Sequence, residues 1–140
     1  MLCVSEGIHL LNIILGGKHP QQVSEHSICG EYGERISSFH HLYISHGSKL
    51  AAIVGSGGFV RVNSRHLNAL SNAQKSPSLL ASAYSLNDGT IEALESPDHG
   101  WIIGVQFSPE IRKEIPPHFD RLFQSLVDRS DEFINPDKQE

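Results

Sequence analysis

The chain has 140 residues, 39% of them hydrophobic and 19% charged, and a net charge of −5 with the histidines neutral. That composition suits one ordinary globular domain with a core of its own, and the eleven Lys and Arg are scattered, which speaks against nucleic acid as a main partner. No apolar run approaches the length of a membrane span, and the first residues lack the basic-then-apolar order of a secretion signal, so no membrane association and a cytoplasmic location are expected.

Leu2-Cys3-Val4 is a short apolar run that reads as a strand, with Cys3 a buried strand residue. Ile8, Leu11, Ile14 and Leu15 then recur at helical spacing to make one apolar face, and Gly16-Gly17 stops the helix. Between them Ser5 and Gly7 fall on a sharp turn. A nucleophile elbow has this strand–turn–helix order, because the turn exposes one side chain while the backbone N–H groups at the helix start face a developing oxyanion.

Residues 24–35, rich in Ser, Gly and Glu, read as a surface loop. Residues 37–45 and 59–62 read as strands around a brief helix over 48–54, with Gly55-Ser56-Gly57-Gly58 as a flexible turn. Three further strands are expected over 79–86, 90–95 and 101–107, the first two joined by a hairpin at Asn87-Asp88-Gly89. Pro116-Pro117 marks a helix start, after which Phe119, Leu122, Phe123, Leu126 and Val127 form an amphipathic face. The polar tail over 131–140 reads as disordered, which leaves residues 1–130 as a single unit.

Five segments, in order, carry a family resemblance. Ser5-Glu6-Gly7-Ile8-His9-Leu10-Leu11-Asn12, with the Gly16-Gly17 that follows, is similar to Cys-Arg-Gly-Met-Gln-Leu-Leu-Asn. His40, Gly47-Ser48, Leu50-Ala51 and Ile53 resemble a histidine strand followed by Gly-Ser and a Leu-Ala helix. Val62-Asn63-Ser64 with His66 resembles Val-Asn-Ser-x-His, and Asp88-Gly89-Thr90-Ile91-Glu92-Ala93 resembles Asp-Gly-x-Ile-Glu-Ala. Gly104-Val105-Gln106-Phe107-Ser108-Pro109-Glu110 resembles Gly-Val-Gln-Trp-His-Pro-Glu. The chain thus resembles the class I glutamine amidotransferase-like superfamily, and within it the clade of γ-glutamyl hydrolases and γ-glutamyl-γ-aminobutyrate hydrolases.

The resemblance implies the C-terminal portion of a flavodoxin-like α/β/α sandwich, with the early parallel strands and the Gly-rich oxyanion loop missing. It also implies a C–N hydrolase of γ-glutamyl amides that uses a cysteine nucleophile, a histidine base and an orienting glutamate. Those roles fall on Ser5, Ser108 and Glu110. A serine in place of the base cannot titrate near neutrality, so the expectation is a degenerate, inactive member. His9 and His66 are the histidines that could stand in for the base; both read instead as pocket wall, and are assigned to substrate binding.

No cofactor is expected. Cys3 and Cys29 have no metal-binding spacing, and His40-His41 with His46 lack an ordered ligand set, so no metal is expected either. The alternatives are a pseudoenzyme that binds a γ-glutamyl small molecule or a partner, and half of a split γ-glutamyl hydrolase. Partners are then a second copy, as a homodimer, or a complementary N-terminal chain.

Overall fold

The computed structural model describes residues 1–135. In chain order the elements are β1 (Leu2–Val4), α1 (Gly7–Ile14), β2 (Gln21–Gln22), β3 (Ile28–Cys29), β4 (Arg35–Ile36), β5 (Ser38–Ile44) and α2 (Lys49–Val54). They continue as β6 (Gly58–Ser64), β7 (Asn68–Ala69), β8 (Leu80–Ser85), β9 (Ile91–Glu95), β10 (Ile103–Val105), a 3₁₀ turn at Pro117–Asp120 and α3 (Arg121–Ile134).

Six strands form one sheet in the order β1, β10, β9, β8, β5, β6. Only β1 and β10 run parallel, in the register Leu2 to Ile103 and Val4 to Val105; the other neighbours are antiparallel. Among the described residues nothing pairs with the outer edge of β1. Helix α1 covers one face, where Ile8 and Leu11 meet Leu70, Leu79, Ile91 and Leu94. The opposite face carries α2 and α3, whose Leu50, Val54 and Leu122 pack with Leu42, Ile44, Val62, Ile103 and Val105. The result is an α/β/α arrangement around a mixed sheet, and β9 at its middle is buried along its whole length.

Local chemistry accounts for the helix ends. Ser48 caps α2, its hydroxyl accepting the Ala51 N–H at 3.1 Å, and the Glu95 carboxylate accepts the Lys49 and Leu50 N–H groups, so both acceptors meet the positive end of the helix. Gly55 ends the helix with φ 91°, a conformation that glycine adopts without a Cβ penalty.

Several expectations need correction. Ile14 is 79% exposed, and His9 and Asn12 share the buried face of α1 with Ile8 and Leu11. Asn12 belongs there because its amide donates to the Lys18 and Gln74 carbonyls and accepts the Ser76 N–H. The stretch over 24–35 is not all surface loop, since β3 and β4 pair within it and His26 is buried. Helix α3 runs past the expected end at 130 as far as Ile134, held by an Arg129–Glu132 ion pair and the Ser130 hydroxyl on the Leu126 carbonyl; the remainder of the expected tail, 136–140, lies outside the described residues. No helix among the described residues is long and apolar enough to cross a membrane.

Candidate active site

Two adjacent parallel strands bring the elbow and the second motif together. Ser5 is the first residue past β1 and Gln106 the first past β10, so Ser5 and Ser108 both lie beyond the C-terminal ends of paired strands. Ligands of open α/β sheets bind in that position. Ser5 has φ 50°, and it alone among the described non-glycine residues has a positive φ. Such a conformation costs an L-residue free energy and persists only where the surroundings over-determine it.

Here the surroundings are visible. The Ser5 carbonyl accepts the Ile8 N–H at 3.3 Å and the Gln106 side-chain amide at 3.4 Å. Because the Gln106 amide nitrogen faces Ser5, its oxygen accepts from the His9 ring, 2.7 Å away at Nε2. A chain of donors thus runs from His9 through Gln106 to the Ser5 backbone. Desolvation pushes the His9 pKa below its ordinary value, outweighing the Gln106 hydrogen bond, and nearby His66 adds to the fall. The His9 Nε2 proton is committed to Gln106, which makes His9 a wall of the site and a support for the elbow.

Ser108 is buried, and its peptide is held by another side chain. Asn63 accepts the Ser108 N–H at 3.0 Å and donates to the Ser108 carbonyl at 3.0 Å. Asn63 also donates to Glu114, which accepts the Ser37 hydroxyl at 2.6 Å. Desolvation raises the Glu114 pKa, but these hydrogen bonds, helped by Arg65, outweigh it and hold the carboxyl below its usual range. Among the described residues no hydrogen bond engages the hydroxyls of Ser5 and Ser108 or the carboxylate of Glu110, and Glu110 is exposed. Cys3 is half-buried in β1, and burial raises its thiol pKa, which disfavours the thiolate a nucleophile needs.

His66 lies elsewhere in the same region, in a cluster centred on Glu92. The Glu92 carboxylate accepts His40 Nε2 at 3.0 Å, with His26 Nδ1 at 3.7 Å and His66 Nε2 at 3.8 Å. All four residues are buried. Burial pushes the Glu92 pKa up, but the His40 hydrogen bond and the nearness of the His40 and His66 rings more than offset this and hold it below the usual value. The expected site residues therefore divide: Ser5, His9 and Ser108 gather at the strand ends, His66 faces Glu92, and Glu110 faces solvent. Gln106, Asn63, His26 and Glu92 had no expected role. For Gln106, Asn63 and Glu92 the signal was their place inside three of the family-like motifs.

Comparisons with known proteins agree with this layout. A Schizosaccharomyces pombe protein named as a candidate glutamine amidotransferase is 34% identical over 135 residues, covering 93% of this chain and 50% of its own length. A Mycobacterium tuberculosis protein named in the same way is 32% identical over 143 residues, covering 99% of this chain and 43% of its own length. The chain thus spans about half the length of these curated relatives. A Thermoplasma acidophilum structure, described as that of a candidate GMP synthase component, superposes with a TM-score of 0.67 at 15% identity, over 99% of this chain and 60% of that one. That likeness establishes the glutamine amidotransferase class I fold. The sequence profile of the peptidase C26 family matches residues 1–110, which hold the elbow, the Asn63 clamp and the strand end at Ser108, and the chain belongs to that family.

Proposed function

We propose that this chain is a catalytically silent glutamine amidotransferase-like protein of γ-glutamyl hydrolase descent. One observation carries the reading: the elbow keeps its strained backbone at Ser5, while the position beyond the neighbouring strand holds a hydroxyl in place of an imidazole. Acyl transfer needs the nucleophile to lose a proton and the leaving amine to gain one. The Ser108 hydroxyl does not titrate near neutrality, His9 Nε2 is tied to Gln106, and Glu110 points to solvent. Among the described residues, nothing at the strand ends is then placed to take the Ser5 proton.

The test is release of ammonia or glutamate from glutamine and γ-glutamyl amides. The expected rate is indistinguishable from that of Ser5→Ala, roughly 10⁴- to 10⁶-fold below an intact triad. Release that disappears in Ser5→Ala would overturn the reading. Because Asn63 fixes the Ser108 peptide through backbone atoms alone, the double variant Ser5→Cys, Ser108→His is expected to fold and to gain measurable hydrolysis.

The open edge of β1 favours a second reading, in which the strand ends are completed by further chain. A groove of about 820 Å³ lies near the start of that strand, against α2 and α3, lined by Met1, Ile53, Trp101, Leu126, Phe133 and Ile134 among others. An unpaired strand near an apolar groove suits added strands of a second copy, as a homodimer, or of a complementary chain. A pocket for a γ-glutamyl small molecule would belong to the completed form.

A further inference from the structure

The cluster around Glu92 has a property that a packed polar core does not need: buried acceptors converge in it, and two of them, His66 Nε2 and one Glu92 oxygen, have no donor. The His66 ring places Nδ1 at 2.8 Å from the Asn68 carbonyl, which can only accept, so the proton of the neutral ring is on Nδ1. Nε2 is then a bare acceptor, buried and without a partner. The His26 ring places Nε2 at 2.7 Å from the Asp88 carboxylate, so that nitrogen donates and Nδ1 faces inward as an acceptor, 3.1 Å from the Ser64 hydroxyl. Glu92 receives one proton, from His40 Nε2, and its second oxygen is buried without a partner.

Three acceptors from His26, His66 and Glu92 therefore face one another, all within 4.8 Å. A hydrogen bond from a doubly protonated His66 does not resolve this, because 3.8 Å to Glu92 is too long. A cation resolves it for His66 and Glu92 together, with His26 Nδ1 turning to it from the Ser64 hydroxyl. Zinc bonds of about 2.0–2.1 Å in tetrahedral geometry set ligand atoms roughly 3.3–3.4 Å apart. The two contacts to Glu92 Oε1, 3.7 and 3.8 Å, need to close by a few tenths of an ångström, and the two imidazole nitrogens, within 4.8 Å of each other, by up to about 1.5 Å.

The outer contacts have the form that metal ligands require. Asp88 orients His26, the Asn68 carbonyl orients His66, and His40 holds Glu92; each fixes a tautomer or a carboxylate rotamer so that an acceptor lone pair points inward. Solvent reaches the outer contacts through Asp88. Asp88 is part-exposed and lines a cleft of about 580 Å³ with Gln22, Val23, Ser24 and Glu25.

We propose that His26, His66 and Glu92 bind a first-row divalent cation, best represented by zinc, which fastens the segment after α1 to the central sheet. Two imidazoles and one carboxylate suit zinc better than calcium or magnesium, and the fourth position is left to water or a small ligand. This site replaces the sequence expectation of no metal. It uses neither Ser5 nor Ser108, so it stands or falls independently of the proposed function.

The experiment is titration of the EDTA-stripped full chain with Co²⁺, followed by visible absorption, and with Zn²⁺, followed by calorimetry. The expected result is one equivalent bound, with the intense ligand-field bands of a four-coordinate ion that Zn²⁺ then bleaches. His66→Gln should weaken binding at least about 100-fold, and the outer variant Asp88→Asn about 10- to 100-fold. His41→Gln, on an exposed β5 residue, should leave it unchanged. If His66→Gln does not fold, Asp88→Asn at its part-exposed position carries the same test. The pale spectrum of a six-coordinate surface ion, absence of saturable binding, or unchanged affinity in the Asp88 and His66 variants would overturn the proposal.

Discussion

At the scale of single residues, the site owes its shape to side chains that clamp backbone. Asn63 holds the Ser108 peptide, and Glu114 holds Asn63 together with Ser37. The Glu114 carboxyl is held below its ordinary pKa in the folded chain, so the unfolded chain binds its proton first as pH falls. The stability it contributes is fully present above the unfolded value of about 4.3 and is lost as pH falls through the folded value. Glu114→Gln should cost about 1–2 kcal/mol at pH 7 and flatten the stability curve below about pH 4, as read by urea unfolding across pH 3 to 7. Motif order brings Ser5, Asn63 and Ser108 into view from the sequence alone. Glu92 also lies inside a motif, Asp88-Gly89-Thr90-Ile91-Glu92-Ala93, but its role is not legible there: only tertiary packing from His26, His40 and His66 makes it the centre of a cluster.

At the scale of elements, the seat of α1 on β10 decides where the elbow points. A Cβ on Gly104 would stand 3.0 Å from Ile8 Cγ1 and 3.3 Å from Leu11 Cδ2, so the glycine lets the helix lie close against the strand. Gly104→Ala should force α1 outward by a few tenths of an ångström and cost about 1–3 kcal/mol. Thermal unfolding checks the cost, and faster hydrogen exchange at the Gly7 and Ile8 amides checks the displacement. Periodicity finds α1, α2, β5, β8 and β9 because one face of each is apolar. It misplaces Ile14 because Asn12 occupies the buried stripe with a network of its own, and it misses β2 and β7 because two-residue strands carry no period. The end of α3 escapes it for a different reason: i,i+3 and i,i+4 pairs, not burial, sustain the last turn.

At the scale of the whole molecule, β1 is the exposed seam. It meets the sheet through β10 alone, and the apolar groove near its start leaves Phe133 and Ile134 open to solvent. Strands and apolar faces in that state associate when they can. A urea unfolding midpoint that rises between two protein concentrations tenfold apart is the expected outcome for a second copy on this face. A cooperative transition at one fixed midpoint would count against the homodimer and leave a complementary chain as the occupant.

The same seam sets how the molecule yields to a pull. Strand β5 is gripped by ladders on both sides, seven residue pairs to β6 and three to β8, whereas β1 holds by three pairs to one neighbour. Tension on the N-terminal end therefore falls on a joint of three pairs with no second ladder behind it. When that joint parts, Ser5 leaves its left-handed turn, Gln106 loses the carbonyl it holds, and the elbow becomes slack chain while the other five strands stay together. The one described non-glycine residue with a left-handed backbone thus sits next to a strand held from one side only, and an unloaded β1 is a condition for having a site there at all.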